Sequence, residues 1–198
     1  MADVIREPKQ KRSIEKKERI IKAGYDLFAE KGYFNTNTAE IAKQAGVSTG
    51  IVYGYFHDKR DILLDALDIY VRAAFTPIFS LLDDFTSPDF ERIIPLVIER
   101  GVKAHRDNKA MHNTLHALSA EDEAVALRFA DLEKEMTQRL SERLSALGYP
   151  SDHLYEKVHT AMIVVQSFAH EAVYDNHDYI DYDEMRALVT KLLNDIFV

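Results

Sequence analysis

Residues 24–63, GYDLFAEKGYFNTNTAEIAKQAGVSTGIVYGYFHDKRDIL, constrain the fold more than any other stretch of this 198-residue chain. Two glycines break them into short apolar-patterned segments. The first segment ends at Lys31-Gly32, a cation in the last turn followed by a residue free to adopt the left-handed conformation that stops a helix. Asn37 with Glu40 three residues later has the form of a capping box, which predicts a short helix over residues 38–44 with Ile41, Ala42 and Ala45 on its inner face. Gly46 stops that helix and supplies the positive φ of a tight turn, which Val47 anchors. Ser48 then suits the N-cap of a third helix, running from Thr49 to about Phe56. Helix, short glycine-containing turn, helix is the layout of a helix-turn-helix.

The third helix is distinctive in what it exposes. Ser48, Thr49, Gly50, Tyr53 and Tyr55 crowd its N-terminal and outer surface, while Ile51, Val52 and Phe56 are expected to turn inward. Hydroxyls and backbone N–H groups at a helix start suit phosphate oxygens, and Gly50 lets a backbone approach closely. Tyrosine can hydrogen-bond a phosphate and pack its ring on a thymine methyl. Lys59 and Arg60 follow at once, placed for the flanking phosphates.

At these positions the chain resembles the tetracycline-repressor-like (TetR) family of transcription regulators. The pattern is Thr38, Ile41, Ala42, Ala45-Gly46-Val47-Ser48, Gly50, Tyr53, Tyr55-Phe56, Lys59 and Leu63, in register and without gaps, within a match over residues 14–63. The resemblance implies that Thr38, Ser48, Thr49, Gly50, Tyr53, Gly54, Tyr55 and Lys59 face DNA. Position 54 departs from the family habit of a side chain that touches DNA; as glycine, it can offer only backbone. The resemblance also implies an all-α architecture: a three-helix DNA-binding domain, residues 1–60, and a helical ligand-binding and dimerisation domain, residues 61–198, with about nine helices in total.

A net charge of −8 is unexpected for a partner of a polyanion, but the charge is segregated. Residues 1–60 hold 12 Lys and Arg against 8 Asp and Glu; residues 61–198 hold 13 against 25. A basic module joined to an acidic one fits DNA binding, because attraction to phosphates is local and screened over about 10 Å. Arg6, Lys9, Lys11 and Arg12 form a candidate basic arm. With no cysteine there is no thiolate or disulfide chemistry. No apolar run reaches the roughly 20 residues of a membrane span and no signal peptide is visible, so a cytoplasmic protein is expected. The chain has no nucleophile elbow, Walker loop, dinucleotide fingerprint or H-E-x-x-H, so no enzyme is expected, and no cofactor.

Past residue 60 the pattern is helical throughout. A helix capped by Asp58 runs towards Phe85 with Pro77 inside it, where a kink is expected. Ser87-Pro88 suits a helix start, Gly148 and Pro150 a stop, and Ser151 or Asp152 the next cap. In the helix that follows, Leu154, Val158, Ala161, Val165, Phe168 and Ala172 make one stripe, while Met162, Ile163 and Val164 fill other faces. A helix apolar all round is buried all round. With the amphipathic last helix it predicts a homodimer interface using Val158, Ala161, Ile163, Val164, Phe168, Leu188 and Leu192. Two-fold pairing also suits recognition of a palindromic double-stranded operator.

The resemblance further implies an effector cavity between about residues 61 and 175. Candidate liners are Phe75, Phe79, Val102, His105, His112, Leu115, His116, Phe129, Met136, Met162, Gln166 and His170. Aromatic and methionine surfaces with few polar groups suit a largely apolar or aromatic small molecule. His112 and His116 share a helix face at a spacing that could hold a metal, but no surrounding motif supports this, and no metal is expected. The expected function is a ligand-responsive repressor; an activator, or a regulator answering to a protein partner, is the alternative.

Overall fold

The computed structural model describes residues 11–150 and 152–197, the side chains of Ala110 and His116 excepted. The described residues form nine helices and no strand, the all-α architecture read from the sequence. They divide into two compact units. The first holds the described residues up to Val71 together with Asn108–Phe129; the second holds Arg72–Asp107 and the described residues from Ala130 on. The sequence-based division after residue 60 thus differs from the compact units, the first of which takes in two later segments.

In the first unit, α1 (Lys11–Lys31) buries Ile20, Ala23, Leu27 and Phe28 and ends at Gly32, whose φ is +85°. Gly24 is there for close approach: a Cβ on it would stand 2.5 Å from Ile62 Cγ2 on α4 (Lys59–Asp83). α2 (Thr38–Ala45) starts with the capping box read from the sequence, with Asn37 Oδ1 accepting from Glu40 N at 3.0 Å and Glu40 Oε2 accepting from Asn37 N at 3.1 Å. Gly46, at φ +67°, ends it, and Val47 N donates back to Ala42 O at 3.0 Å. This is a Schellman-type stop, which satisfies carbonyls the helix leaves unpaired. α3 (Thr49–Tyr53) is shorter than expected, since Tyr55 N and Phe56 N both fold back to Val52 O. Asp58 caps α4 through Arg60 N and Asp61 N, as expected.

The later segment of this unit carries α6 (Lys109–Ser119) and the start of α7 (Glu123–Ala146). Side chains tie it to α1 and α4. Tyr25 donates to Asn108 Oδ1 at 2.7 Å, buried Tyr70 pairs its hydroxyl with His112 Nδ1 at 3.0 Å, and Arg128 bonds Asp68. Arg60 forks onto both carboxylate oxygens of Asp122, which also caps α7 through Ala124 N and Val125 N. Those charge-assisted bonds, the Arg60 guanidinium foremost, hold the Asp122 carboxyl at about 2.

In the second unit, α5 (Phe90–Asp107), α8 (Leu154–Tyr174) and α9 (Tyr182–Phe197) pack together around Ile94, Ile98, Val158, Phe168 and Leu193. Gly101 lets α5 approach α8, because a Cβ there would meet Val165 Cγ1 at 2.7 Å. Phe90 stacks on Phe197 with centroids 4.4 Å apart, and Tyr149 closes on both rings. α5 begins two residues after Pro88, capped by the Asp89 carboxylate rather than Ser87. α8 begins after His153, which occupies the N-cap position with φ +53° and gives no side-chain cap, so Asp152 is not the cap; Ser151 lies outside the described residues. α9 is capped by Asp181. No helix among the described residues is long and apolar enough to cross a membrane.

Candidate nucleic-acid interface

The core of the first unit is complete without the outer face of α3. Val52 and Phe56 point inward and are buried, with Ile41, Ala42 and Ala45 of α2 beside them in the core. The outer face carries Ser48, Gly50, Ile51, Tyr53 and Gly54, all exposed. Ile51 is 36% exposed and Tyr53 55%. The placement of Ile51 modifies the sequence expectation: in a helix of barely more than one turn, Val52 fills the inward position and Ile51 is only partly covered. Ser48 occupies the N-cap position with extended backbone, but its hydroxyl makes no cap bond. Thr38 and Thr49 are half-buried at the two helix starts.

The two glycines of α3 differ. A Cβ on Gly50 would meet only Ser48 Oγ, at 4.0 Å, so the fold does not require glycine there. A Cβ on Gly54 would press on the Ile51 carbonyl at 3.3 Å. Gly54 keeps right-handed backbone, at φ −75°, so a side chain there needs only a small shift of that carbonyl, and Gly50 has the more open surroundings of the two.

Two candidates turn partly inward. The Tyr55 hydroxyl lies 2.6 Å from Ser13 Oγ, linking the end of the helix-turn-helix to α1. Lys59 donates to Tyr33 O at 2.8 Å and Thr36 O at 2.9 Å, with its ammonium 4.3 Å from the Tyr33 ring centroid. Burial pushes its pKa down. Two of its three ammonium hydrogens are thus spent inside the unit, whereas the sequence alone places the side chain outward. Arg60, paired with Asp122, is likewise engaged.

The cations that face outward lie elsewhere. Lys11, Arg12, Lys16, Arg19 and Lys43 are exposed and carry no ion pair among the described residues. Arg12, Lys16 and Arg19 share one face of α1 at spacings of four and three. The Arg19 guanidinium lies 3.8 Å from where a Gly46 Cβ would stand, hence against the turn of the motif. Sequence reasoning missed Arg19 and Lys43 because charge alone does not tell a paired lysine, such as Lys17 with Asp65 or Lys31 with Glu40, from an unpaired one. Arg6 and Lys9 of the candidate arm lie outside the described residues.

The effector candidates fall in both units. His112, Leu115 and Phe129 belong to the first, where His112 and Leu115 are buried and His112 bonds Tyr70. The side chain of His116 lies outside the described residues. Phe75, Phe79, Val102, His105, Met136, Met162, Gln166 and His170 belong to the second. There the structure brings His105 and His170 together around Tyr174, with ring centroids 6.1 and 5.0 Å from it. Tyr174 donates to His105 O, and burial pushes its own pKa up to about 12, so it stays a donor at any ordinary pH. Met136 is buried; Phe75, Phe79, Met162 and Gln166 are half-buried. Among the described residues no group of three or more His, Asp or Glu is arranged to hold a metal ion.

The dimer candidates separate by face. Val158 and Phe168 are buried in the core of their own unit, and Ala161 and Val164 pack half-buried against that core. Ile163 on α8 and Leu188 and Leu192 on α9 are 47%, 68% and 50% exposed.

Known proteins resemble this chain in sequence and in fold. Residues 20–66 match the family described as bacterial regulatory proteins, tetR family. The chain is 26% identical over 187 residues to the uncharacterised HTH-type transcriptional regulator YerO of Bacillus subtilis (strain 168), covering 92% of this chain and 64% of that protein. It is 47% identical over 60 residues to the HTH-type transcriptional regulator HbdR of Aromatoleum sp. (strain CIB), covering 28% of this chain and 26% of that one. The chain thus spans less than two thirds of the length of these relatives. A solved TetR-family transcriptional regulator from Mesorhizobium loti MAFF303099 shares the fold at a TM-score of 0.74 and 17% identity, over 94% of this chain and 97% of that one.

Proposed function

We propose an effector-released dimeric repressor as the function of this chain, which belongs to the TetR family of bacterial regulatory proteins. The observation that carries the proposal is the outer face of α3. It exposes an uncapped serine hydroxyl, a tyrosine and a glycine that the fold does not require, on a helix-turn-helix whose core is already filled. Such a face can enter a major groove, with α2 crossing the backbone. Arg19 and Lys43, with the cations of α1, would neutralise the flanking phosphates.

One α3 offers few base contacts, and pairing two subunits supplies the second half-site. The exposed Ile163, Leu188 and Leu192 support that pairing through α8 and α9, because apolar groups left in water on two adjacent helices gain by meeting their symmetry mates. A small, largely apolar or aromatic effector would act by population shift. It would favour a state of the dimer in which the two α3 helices no longer match successive major grooves. α4 has residues in both units and is the element suited to carry the change.

The test is Tyr53→Ala. Its side chain is exposed, so the variant should keep the wild-type melting temperature while binding operator DNA about tenfold or more weakly at fixed salt. A fall in melting temperature of the size of a core deletion would place Tyr53 in the core and remove it from the interface.

A further inference from the structure

We infer that Ile51 is a specificity-determining residue that reads the 5-methyl group of a thymine in the operator half-site. The inference rests on the DNA-binding function proposed above and names the feature read. Bidentate recognition of a base edge needs Arg, Lys, Asn, Gln, Asp or Glu. Residues 46–56, GVSTGIVYGYF, contain none of these. The protruding groups of α3 reduce to the Ser48 hydroxyl, the Ile51 side chain and Tyr53, since Gly50 and Gly54 have no side chain.

Of the three, Ile51 alone is wholly apolar, and at 36% exposure it keeps part of its surface outside the core that Val52 and Phe56 fill; Tyr53 can also pack on a methyl, but its hydroxyl suits a phosphate, and the Ile51→Ala arm below tells the two apart. The major-groove feature that an aliphatic group can recognise is the thymine C5 methyl. Reach is consistent with this. Gly50, immediately before Ile51, has no steric reason to be glycine within the fold, and its bare backbone lets the helix lie close to the bases.

The test removes the methyl and nothing else. Wild-type protein selects a half-site from a random duplex pool, and each thymine of that site is then replaced in turn by 2′-deoxyuridine, which preserves base pairing, donors and acceptors. At one thymine per half-site, binding at fixed salt should weaken about fourfold for each methyl removed. Ile51→Ala should bind the thymine duplex about as weakly as wild type binds the uracil duplex, and should no longer distinguish the two. Uracil tolerated everywhere would overturn the inference in favour of readout by DNA shape. A uracil penalty undiminished in Ile51→Ala would assign the methyl to another residue, and a selected half-site without thymine would also refute it. A wild-type protein that enriches no sequence is the separate outcome that defeats the proposed function itself.

Discussion

Gly50→Ala separates what the fold needs from what a DNA partner needs. The added methyl has room, with Ser48 Oγ 4.0 Å away and no other neighbour closer, and Gly50 does not adopt the positive φ that penalises alanine. Gly50 is an exposed residue inside α3, and glycine there leaves more chain entropy to be removed on folding than alanine does. The substitution should therefore leave stability unchanged or raise it, by up to about 0.5–1 kcal/mol. For a chain of this length that is a rise in melting temperature of at most about 2–4 °C. The same methyl stands on the face proposed to approach the bases, where it holds the helix away from the groove. Operator affinity should fall by about tenfold or more, the effect of breaking base contacts worth about 1–3 kcal/mol. Thermal unfolding and fluorescence anisotropy on a labelled operator, at one stated salt concentration, measure the two effects on one preparation. An alanine variant that binds as wild type does would show that α3 makes no close backbone approach. A variant that melts well below wild type would show that the space read beside Gly50 is not there.

Arg19→Ala should weaken binding to all duplexes alike. It should also reduce the slope of log affinity against log salt by about 0.9 for each phosphate left without its arginine, about 2 for a dimer; an unchanged slope would remove Arg19 from the interface. Leu192→Asp places a charge on a side chain that is half exposed in the single subunit, so the fold should survive while sedimentation shows a monomer; a variant that still sediments as a dimer would rule out the α8–α9 surface. Val164, half-buried against its own core, is the poorer site for that experiment. Asp122→Asn addresses the Arg60 fork. The Asp122 carboxyl is depressed from 3.8 to about 2, so its stabilising contribution is fully present above pH 4 and is lost as pH falls towards 2. The variant should melt below wild type at neutral pH, with the gap closing between pH 4 and 2; a gap independent of pH in that window would contradict the assigned ion pair.

What the sequence made legible was local. The Asn37–Glu40 capping box, the left-handed Gly46 and the Asp58 cap depend on neighbours within four residues, and each is found as read. Long-range packing was not legible. Apolar periodicity put Ile51 inside and could not show that a helix of five residues has room for one inward side chain. It marked α8 as apolar all round without telling Val158 and Phe168, which serve their own core, from Ile163, which does not. Lys59 is basic in any reading; only the fold shows that the Tyr33 and Thr36 carbonyls hold it. The effector candidates were drawn from the span in which the resemblance implies a cavity, and the fold divides them between two units because α6 and the start of α7 pack with α1 and the start of α4.

The most direct test of the account is selection of DNA fragments from a random pool by the purified full chain at a stated salt concentration, with Tyr53→Ala in parallel. Wild type should enrich a palindrome whose half-sites lie about one helical turn apart, and the variant should not. Enrichment of the same palindrome by Tyr53→Ala, or of an unpaired half-site by wild type, would contradict recognition by the outer face of α3 in a two-fold dimer.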